Sequence, residues 1–291
     1  MQYKHAFHAG NFADVHKHIA LMQLIGTLQK KAKGFLYLDT HAGEGLYDLH
    51  GADARHSAES AAGFVRLEQA LARTAGEVHP AIRGYVDAIE SVRKANGNSR
   101  HLYPGSPLLA AAALRDVDSG VCVESQAPTS RALQRALEGN TPRGSSFRVI
   151  HGDGYHEIRT LMPPVLRRGL VLIDPPYESG EEERQIAEAL VAGLERFETG
   201  VFAVWYPIKR QHEADLFVAR VLRGIERPVL TTELSVHPTD HAAGLNGSGM
   251  LIVNPPWQFD ADAAEWQPQL HSLLGGDPSG GTSVKWPRAA G

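Results

Sequence analysis

Apolar positions along this chain fall into two alternating patterns. Ile19, Leu21, Met22, Leu24, Ile25 and Leu28 recur at helical spacing and stop near Lys30 and Lys31, cations that suit a helix C-terminus. Gly34-Phe35-Leu36-Tyr37-Leu38-Asp39 follows, a short apolar run closing on an acid, which reads as a buried parallel strand. Comparable runs return at 120–124, 147–150, 170–174 and 201–205, and stretches of helical composition at 107–114, 129–137 and 181–197 separate most of them. The alternation predicts a doubly wound α/β sheet. Two more strands are expected around 229–236 and 250–253, a last candidate lies at 283–286, and the Gly/Pro/Ser-rich stretch 275–282 reads as a loop.

Residues 48–100 break the rhythm. Phe64, Val65, Leu67, Ala70 and Leu71, and then Ile82, Tyr85, Val86, Ile89 and Val92, repeat at helical spacing with no strand-like run between them. Pro80 sits near the start of the second group, where a missing N–H costs little. The expected organisation is one α/β domain formed by 1–47 and 101–291, carrying a small helical insertion at 48–100.

Composition narrows the class. A chain of 291 residues, 43% hydrophobic and 21% charged, is that of a soluble globular protein with a sizeable core. The longest apolar run, 108–114, is far too short to cross a bilayer, so no membrane association is expected. The start, Met1-Gln2-Tyr3-Lys4-His5, lacks the apolar stretch of a signal peptide. The single cysteine, Cys122, cannot form an internal disulfide, which suits a cytoplasmic location. A net charge of −4 argues against coating nucleic acid by bulk electrostatics. Yet residues 1–34 hold five lysines against one acid, a local +4 that offers a surface for phosphates, or simply a solvated lysine-rich helix end.

Three strand ends carry acids. Asp39-Thr40-His41-Ala42-Gly43-Glu44-Gly45 places Gly43 and Gly45 directly after the first strand, where the backbone can turn sharply and a ligand can approach closely. A nicotinamide fingerprint would want a third glycine at position 48, which is Asp48. Glu124 ends the second strand, where an acid can bind both ribose hydroxyls of an adenosyl group. It follows Gly43 by about eighty residues rather than the usual twenty or so, and the insertion accounts for most of the excess. Asp153 ends the third strand, where it can accept an adenine amino group while Gly154 makes room for the ring. All three would face the ligand edge of such a sheet.

The fourth strand ends in Asp174-Pro175-Pro176-Tyr177, of the form found in enzymes that methylate amino nitrogens. An exocyclic amine conjugated with a purine is a poor nucleophile. A carboxylate and a backbone carbonyl accepting its two N–H bonds would favour a pyramidal nitrogen and stabilise the charge developing on it. Consecutive prolines stiffen the loop and keep the Pro175 carbonyl aimed, while the Tyr177 ring offers a stacking surface worth roughly 1–3 kcal/mol. Asn254-Pro255-Pro256-Trp257 fits the same pattern. Only Asp174 follows Asp153 by one βα unit, so Asp174 is expected to be catalytic and Asn254 to form a structural turn. His5, His8, His16 and His18 have neither a nearby cysteine nor a second ligand cluster, and no metal is expected. Trp205-Tyr206-Pro207 either walls the base pocket or packs as buried aromatics, and Ser106 is a candidate helix N-cap.

Taken in order, Tyr3-Lys4-His5-Ala6-Phe7-His8-Ala9-Gly10-Asn11, Asp14-Val15, Lys17-His18, Tyr37-Leu38-Asp39-Thr40-His41-Ala42-Gly43, Tyr103-Pro104-Gly105-Ser106-Pro107, Arg167-Arg168-Gly169-Leu170, Asp174-Pro175-Pro176-Tyr177 and Trp205-Tyr206-Pro207 resemble the RlmJ family. That family comprises bacterial enzymes methylating adenine N6 in 23S ribosomal RNA. The resemblance implies a Rossmann-like methyltransferase fold, S-adenosyl-L-methionine as cofactor, and direct transfer to a flipped base with neither metal nor obligate protein partner. By the same resemblance Lys17, His18, His41, Ser106, Glu124, Asp153 and Gly154 would contact the cofactor beside the Gly43 turn. Asp174 would be the catalytic acceptor and Tyr3 would lie against the target nucleotide, with Lys4 on phosphate. A DNA adenine-N6 methyltransferase, a protein-glutamine methyltransferase and a non-catalytic RNA-binding module are the competing classes. The first would usually need a larger recognition region than 48–100, the second normally has Asn in place of Asp174, and the third leaves Asp174 and Glu124 without purpose.

Overall fold

The structure, a computed structural model, describes residues 8–51, 59–141, 146–238, 241 and 244–289. Eight strands form the main sheet: β1 (Leu36–Asp39), β4 (Ser119–Glu124), β5 (Ser146–His151), β6 (Gly169–Ile173), β7 (Val201–Ile208), β8 (Val229–Ser235), β9 (Gly247–Val253) and β10 (Gly281–Arg288). Their order is β5-β4-β1-β6-β7-β9-β8-β10. The first five in that order are parallel. β9 runs antiparallel to both β7 and β8, and β10 antiparallel to β8. The C-terminal ends of β1, β4, β5, β6 and β7 therefore share one edge. The C-terminal end of β9 lies at the other.

Neighbouring residues in each strand point to opposite faces, and both faces are covered. Tyr37, Leu170, Leu172, Ala203, Met250 and Ile252 meet one helical layer, built from α1 (Phe12–Gln29), α4 (Pro80–Ala95), α5 (Ser106–Ala113) and α10 (Phe259–Leu273). Leu38, Val171, Ile173, Phe202, Val204 and Leu251 meet the other, built from α7 (Gly154–Leu161), α8 (Glu182–Arg196) and α9 (Gln211–Val221). α6 (Ala127–Asn140) packs Leu133 and Leu137 against Cys122 and Leu108. The doubly wound expectation holds, with boundaries moved by a few residues.

Three helices were not foreseen. α7 has only eight residues and opens on a glycine, α9 presents its buried side only through Ala214, Val218 and Val221, and α10 carries Pro268 inside it. Each weakens the period that sequence reading relies on. The 48–100 region holds α2 (Glu59–Ala62), α3 (Phe64–Arg73) and α4. Its neck is pinned by β2 (Leu46–Asp48) pairing antiparallel with β3 (Leu102–Pro104), a pair too short to show as a pattern. The helices share the core of α1: Phe64 lies 5.4 Å from Tyr103 between ring centroids, and the Tyr85 and Tyr103 hydroxyls are 2.9 Å apart.

α1 is buried along nearly its whole first half, charged residues included. His16, fully buried, reaches Ser248 Oγ and Thr232 Oγ1, both at 3.0 Å, and burial pushes its pKa down to about 3, so it is neutral. This anchors α1 to the antiparallel flank of the sheet.

Candidate active site

The site is assembled where the parallel strands end. Asp39, fully buried at the end of β1, accepts hydrogen bonds from Tyr37 Oη (2.7 Å) and Ser106 Oγ (2.6 Å). Burial raises its pKa to about 6, and those two donors hold it from rising further. Ser106 is the first residue of α5, not its cap; Gly105 is the cap and Ser106 is spent on Asp39. Gly43 and Gly45 both sit in the left-handed region, φ 63° and 79°, and shape the turn after β1. The Gly43 N–H donates to Glu124 Oε2 at 3.1 Å, while Glu124 Oε1 accepts from the Gln126 N–H at 2.7 Å. One carboxylate thus fastens the glycine turn to the end of β4.

Asp153 caps α7, its Oδ1 accepting the Tyr155 N–H at 2.9 Å, and remains exposed. Gly154 is packed on β1: a Cβ there would overlap the Thr40 carbonyl oxygen. His41 stands edge-on to Tyr155 with centroids 4.9 Å apart, and burial lowers its pKa to about 4 against the charges of Asp174, Asp153 and Glu182.

Asp174 follows β6 and meets a cation. Lys17 Nζ, buried on α1, lies 2.5 Å from Asp174 Oδ2 and 2.7 Å from Asp14 Oδ1. Burial opposes its charge, but the two carboxylates outweigh that and raise its pKa above the ordinary lysine value. The same ammonium stands 5.8 Å from the Trp205 ring centroid. Tyr177 has φ 53°, rare for an aromatic residue, and donates from Oη to the Trp205 carbonyl at 2.5 Å. Pro175 is buried beneath the loop. Glu182 Oε1, on the first turn of α8, accepts the N–H groups of Glu178 and Ser179, both at 2.8 Å, and closes the loop.

Lys17, His41, Gly43, Ser106, Glu124, Asp153, Gly154, Asp174, Pro175 and Tyr177 are therefore gathered at one edge. His18 is on the same helix as Lys17, with its Nδ1 2.9 Å from Tyr103 Oη. Tyr3 and Lys4 lie outside the described residues. Reasoning from sequence missed Asp14, Glu182 and Tyr155. An acid one helical turn before Lys17 was the available signal for Asp14; nothing marked the other two. Trp205, left open between wall and core, is half-buried at the site with its Nε1 donating to Ser248 Oγ at 2.9 Å. Asn254 lies at the far edge. Its amide donates to the Glu198 and Gly200 carbonyls at 2.9 and 2.8 Å.

The supposed basic N-terminal surface is not one surface. Lys17 is buried in the site, and Lys30, Lys31 and Lys33 are exposed beyond the other end of α1. Among the described residues no group of His, Cys, Asp and Glu is arranged to hold a metal, and no helix is long and apolar enough to span a membrane.

Acids at three successive parallel strand ends, a glycine turn and a proline-stiffened Asp loop define a Rossmann-like methyltransferase. The crystal structure of a Legionella pneumophila protein superposes with a TM-score of 0.81 at 29% identity, covering 97% of this chain and 99% of that one. Residues 32–288 match the family model described as Ribosomal RNA large subunit methyltransferase D, RlmJ. The ribosomal RNA large subunit methyltransferases J of Escherichia coli and Haemophilus influenzae are 36% and 35% identical over 290 residues, covering 98% of each chain. The chain belongs to the RlmJ family of ribosomal RNA methyltransferases.

Proposed function

We propose that this chain transfers the methyl group of S-adenosylmethionine to N6 of an adenine in 23S ribosomal RNA, in line, on a base drawn from its stack. The observation that carries the reading is the placement of Asp174: on the same edge as Glu124 and Asp153, one strand from the glycine turn, and held by Lys17. The site suits the cofactor. Glu124 is fixed for ribose hydroxyls, Asp153 is exposed for an amino group, Gly154 lets the start of α7 close on Thr40, and the buried Tyr155 Oη has no hydrogen-bond partner among the described residues.

S-adenosylmethionine supplies an electrophilic methyl group on a sulfonium. Lys17, His18, His41, Gly43 and Ser106 complete its surroundings with Glu124, Asp153 and Gly154. Asp174 and the Pro175 carbonyl would accept hydrogen bonds from the two N–H groups of the target amine, so that its lone pair is free to take the methyl group as the carbon–sulfur bond breaks to leave a neutral thioether. One amine proton then passes to solvent. Lys17 fixes the carboxylate against rotation, and Asp14 balances the lysine's charge. Tyr177 and Trp205 border the space for the base, and Tyr3 and Lys4 meet the target nucleotide and its phosphate. The reaction takes place in the cytoplasm and calls for no obligate protein partner.

Transfer of tritiated methyl to ribosomal RNA, DNA and protein fractions, followed by nucleoside analysis, tests this directly. N6-methyladenosine in 23S RNA is expected. Label in DNA alone would favour a DNA adenine methyltransferase, and label in protein would overturn a nucleobase substrate altogether.

A further inference from the structure

The loops that follow β1, β4, β5 and β6 hold five carboxylates (Glu44, Asp153, Asp174, Glu178, Glu181) and no lysine or arginine. Lys17 offsets Asp174 and Arg184 offsets Glu181, and the loop after β7 adds the exposed Lys209 and Arg210, so charges of both signs meet at that edge. The opposite edge carries a denser run of unpaired cations. There the turn after α1 presents Lys30, Lys31 and Lys33, and the loop before β6 presents Arg167, all four exposed. None has an acidic partner among the described residues, unlike Arg184, which is paired with Glu181 and Glu188.

Two further arginines weld these loops into one surface. Arg168 donates to the carbonyls of Leu28 and Lys33, and Arg115 to those of Gln29 and Lys31. Among the described residues of the loops before β1, β4 and β6, Asp116 and Asp118 are the acids that stand against these six cations, and Asp118 is buried against Arg115, which leaves the patch at +4. Its charge is unneutralised and its backbone is fixed from two sides.

We infer that this edge docks the phosphate backbone of RNA at a segment separate from the one that delivers the target base. The inference rests on an RNA substrate, as proposed above. α1 rises about 1.5 Å per residue, which puts Lys30 roughly 20 Å from Lys17. A structured RNA can span that distance, because shape-reading modules contact about 16 base pairs at once. The patch supplies sequence-independent attraction away from the catalytic edge, and the base pocket supplies the choice of adenine.

The test compares the wild-type chain with a Lys30→Gln, Lys31→Gln, Lys33→Gln, Arg167→Gln variant. Arg115 and Arg168 stay in place because they hold the loops. Filter binding to a long 23S RNA fragment over a range of salt should show the log–log slope reduced by about two to four units in the variant, close to one per lost phosphate contact. Affinity for that fragment should fall at least tenfold, while kcat/KM on a short hairpin substrate stays within twofold. An unchanged slope in the folded variant would overturn the inference, as would an equal loss on long and short RNA. Binding is read without turnover, so a chain that methylated no RNA would refute the proposed function while the slope still decided the role of the patch.

Discussion

The chain contains the same four-residue pattern twice, and its two copies have opposite fates. Asp174-Pro175-Pro176-Tyr177 leaves a parallel strand at the edge where acids gather, and its carboxylate meets a buried lysine. Asn254-Pro255-Pro256-Trp257 leaves an antiparallel strand at the other edge, and its amide caps two backbone carbonyls. Tyr177 is drawn inward against Trp205 and Phe217, whereas Trp257 is 81% exposed. A motif is therefore chemistry only in the company of its strand's direction. The Asp174 carboxylate stands where α1 meets the ends of β6 and its two neighbours, β1 and β7.

The sharpest way to break this contrast is to exchange the roles. Asp174→Ala should lower methyl transfer by a factor of about 10²–10³ or more, with cofactor affinity within a few-fold. Asn254→Ala should turn over normally and lose about 1 kcal/mol of stability as its carbonyls go unmet. Single-turnover rates beside urea denaturation separate the two, and an inactive, folded Asn254→Ala chain would reverse the assignment. Next in size, Glu124→Ala should weaken S-adenosylmethionine binding by about 1.5–3 kcal/mol, read by calorimetry. Unchanged affinity would remove Glu124 from the cofactor's surroundings.

Asp39 gives the catalytic edge a pH signature of its own. Its folded pKa of about 6 exceeds its unfolded one, near 4, so between those values the native state binds more protons. Stability must then decline as pH rises through that window. Asp39→Asn removes the decline, and its stability relative to wild type should improve by on the order of 2 kcal/mol between pH 4 and pH 7. Parallel stability profiles would show that Asp39 ionises normally. Smallest of all, Trp257→Ala should leave methyl transfer within twofold, whereas Tyr177→Ala should lose about tenfold as stacking is removed. Equal losses would mean that the two aromatic rings serve the same purpose.

The strands of the main sheet were legible because buried strands are apolar runs, whereas β2, β3 and the 15-residue α10, with Pro268 inside it, were not. The edge residues Asp39, Glu124 and Asp174 were legible because each ends such a run. What could not be read was side-chain pairing across the sheet. Nothing local says that Lys17 faces Asp174, 157 residues away, or that Glu182 folds back on its own loop. Charge was left between two readings for the same reason, and the exposed Lys30, Lys31 and Lys33 fit the solvated helix end. Lysines counted together in residues 1–34 are separated by a helix that buries one and carries three to the far edge.

The bond between His16 and Ser248 joins residues 232 positions apart. At about 5–20 residues per second of synthesis, the first helix emerges tens of seconds before the strand that anchors it exists. Contacts of such sequence separation also form late in folding. The helix that carries Lys17 can therefore pack early against α4, α5 and β6, but gains its hold on the antiparallel flank only after β9 has been made.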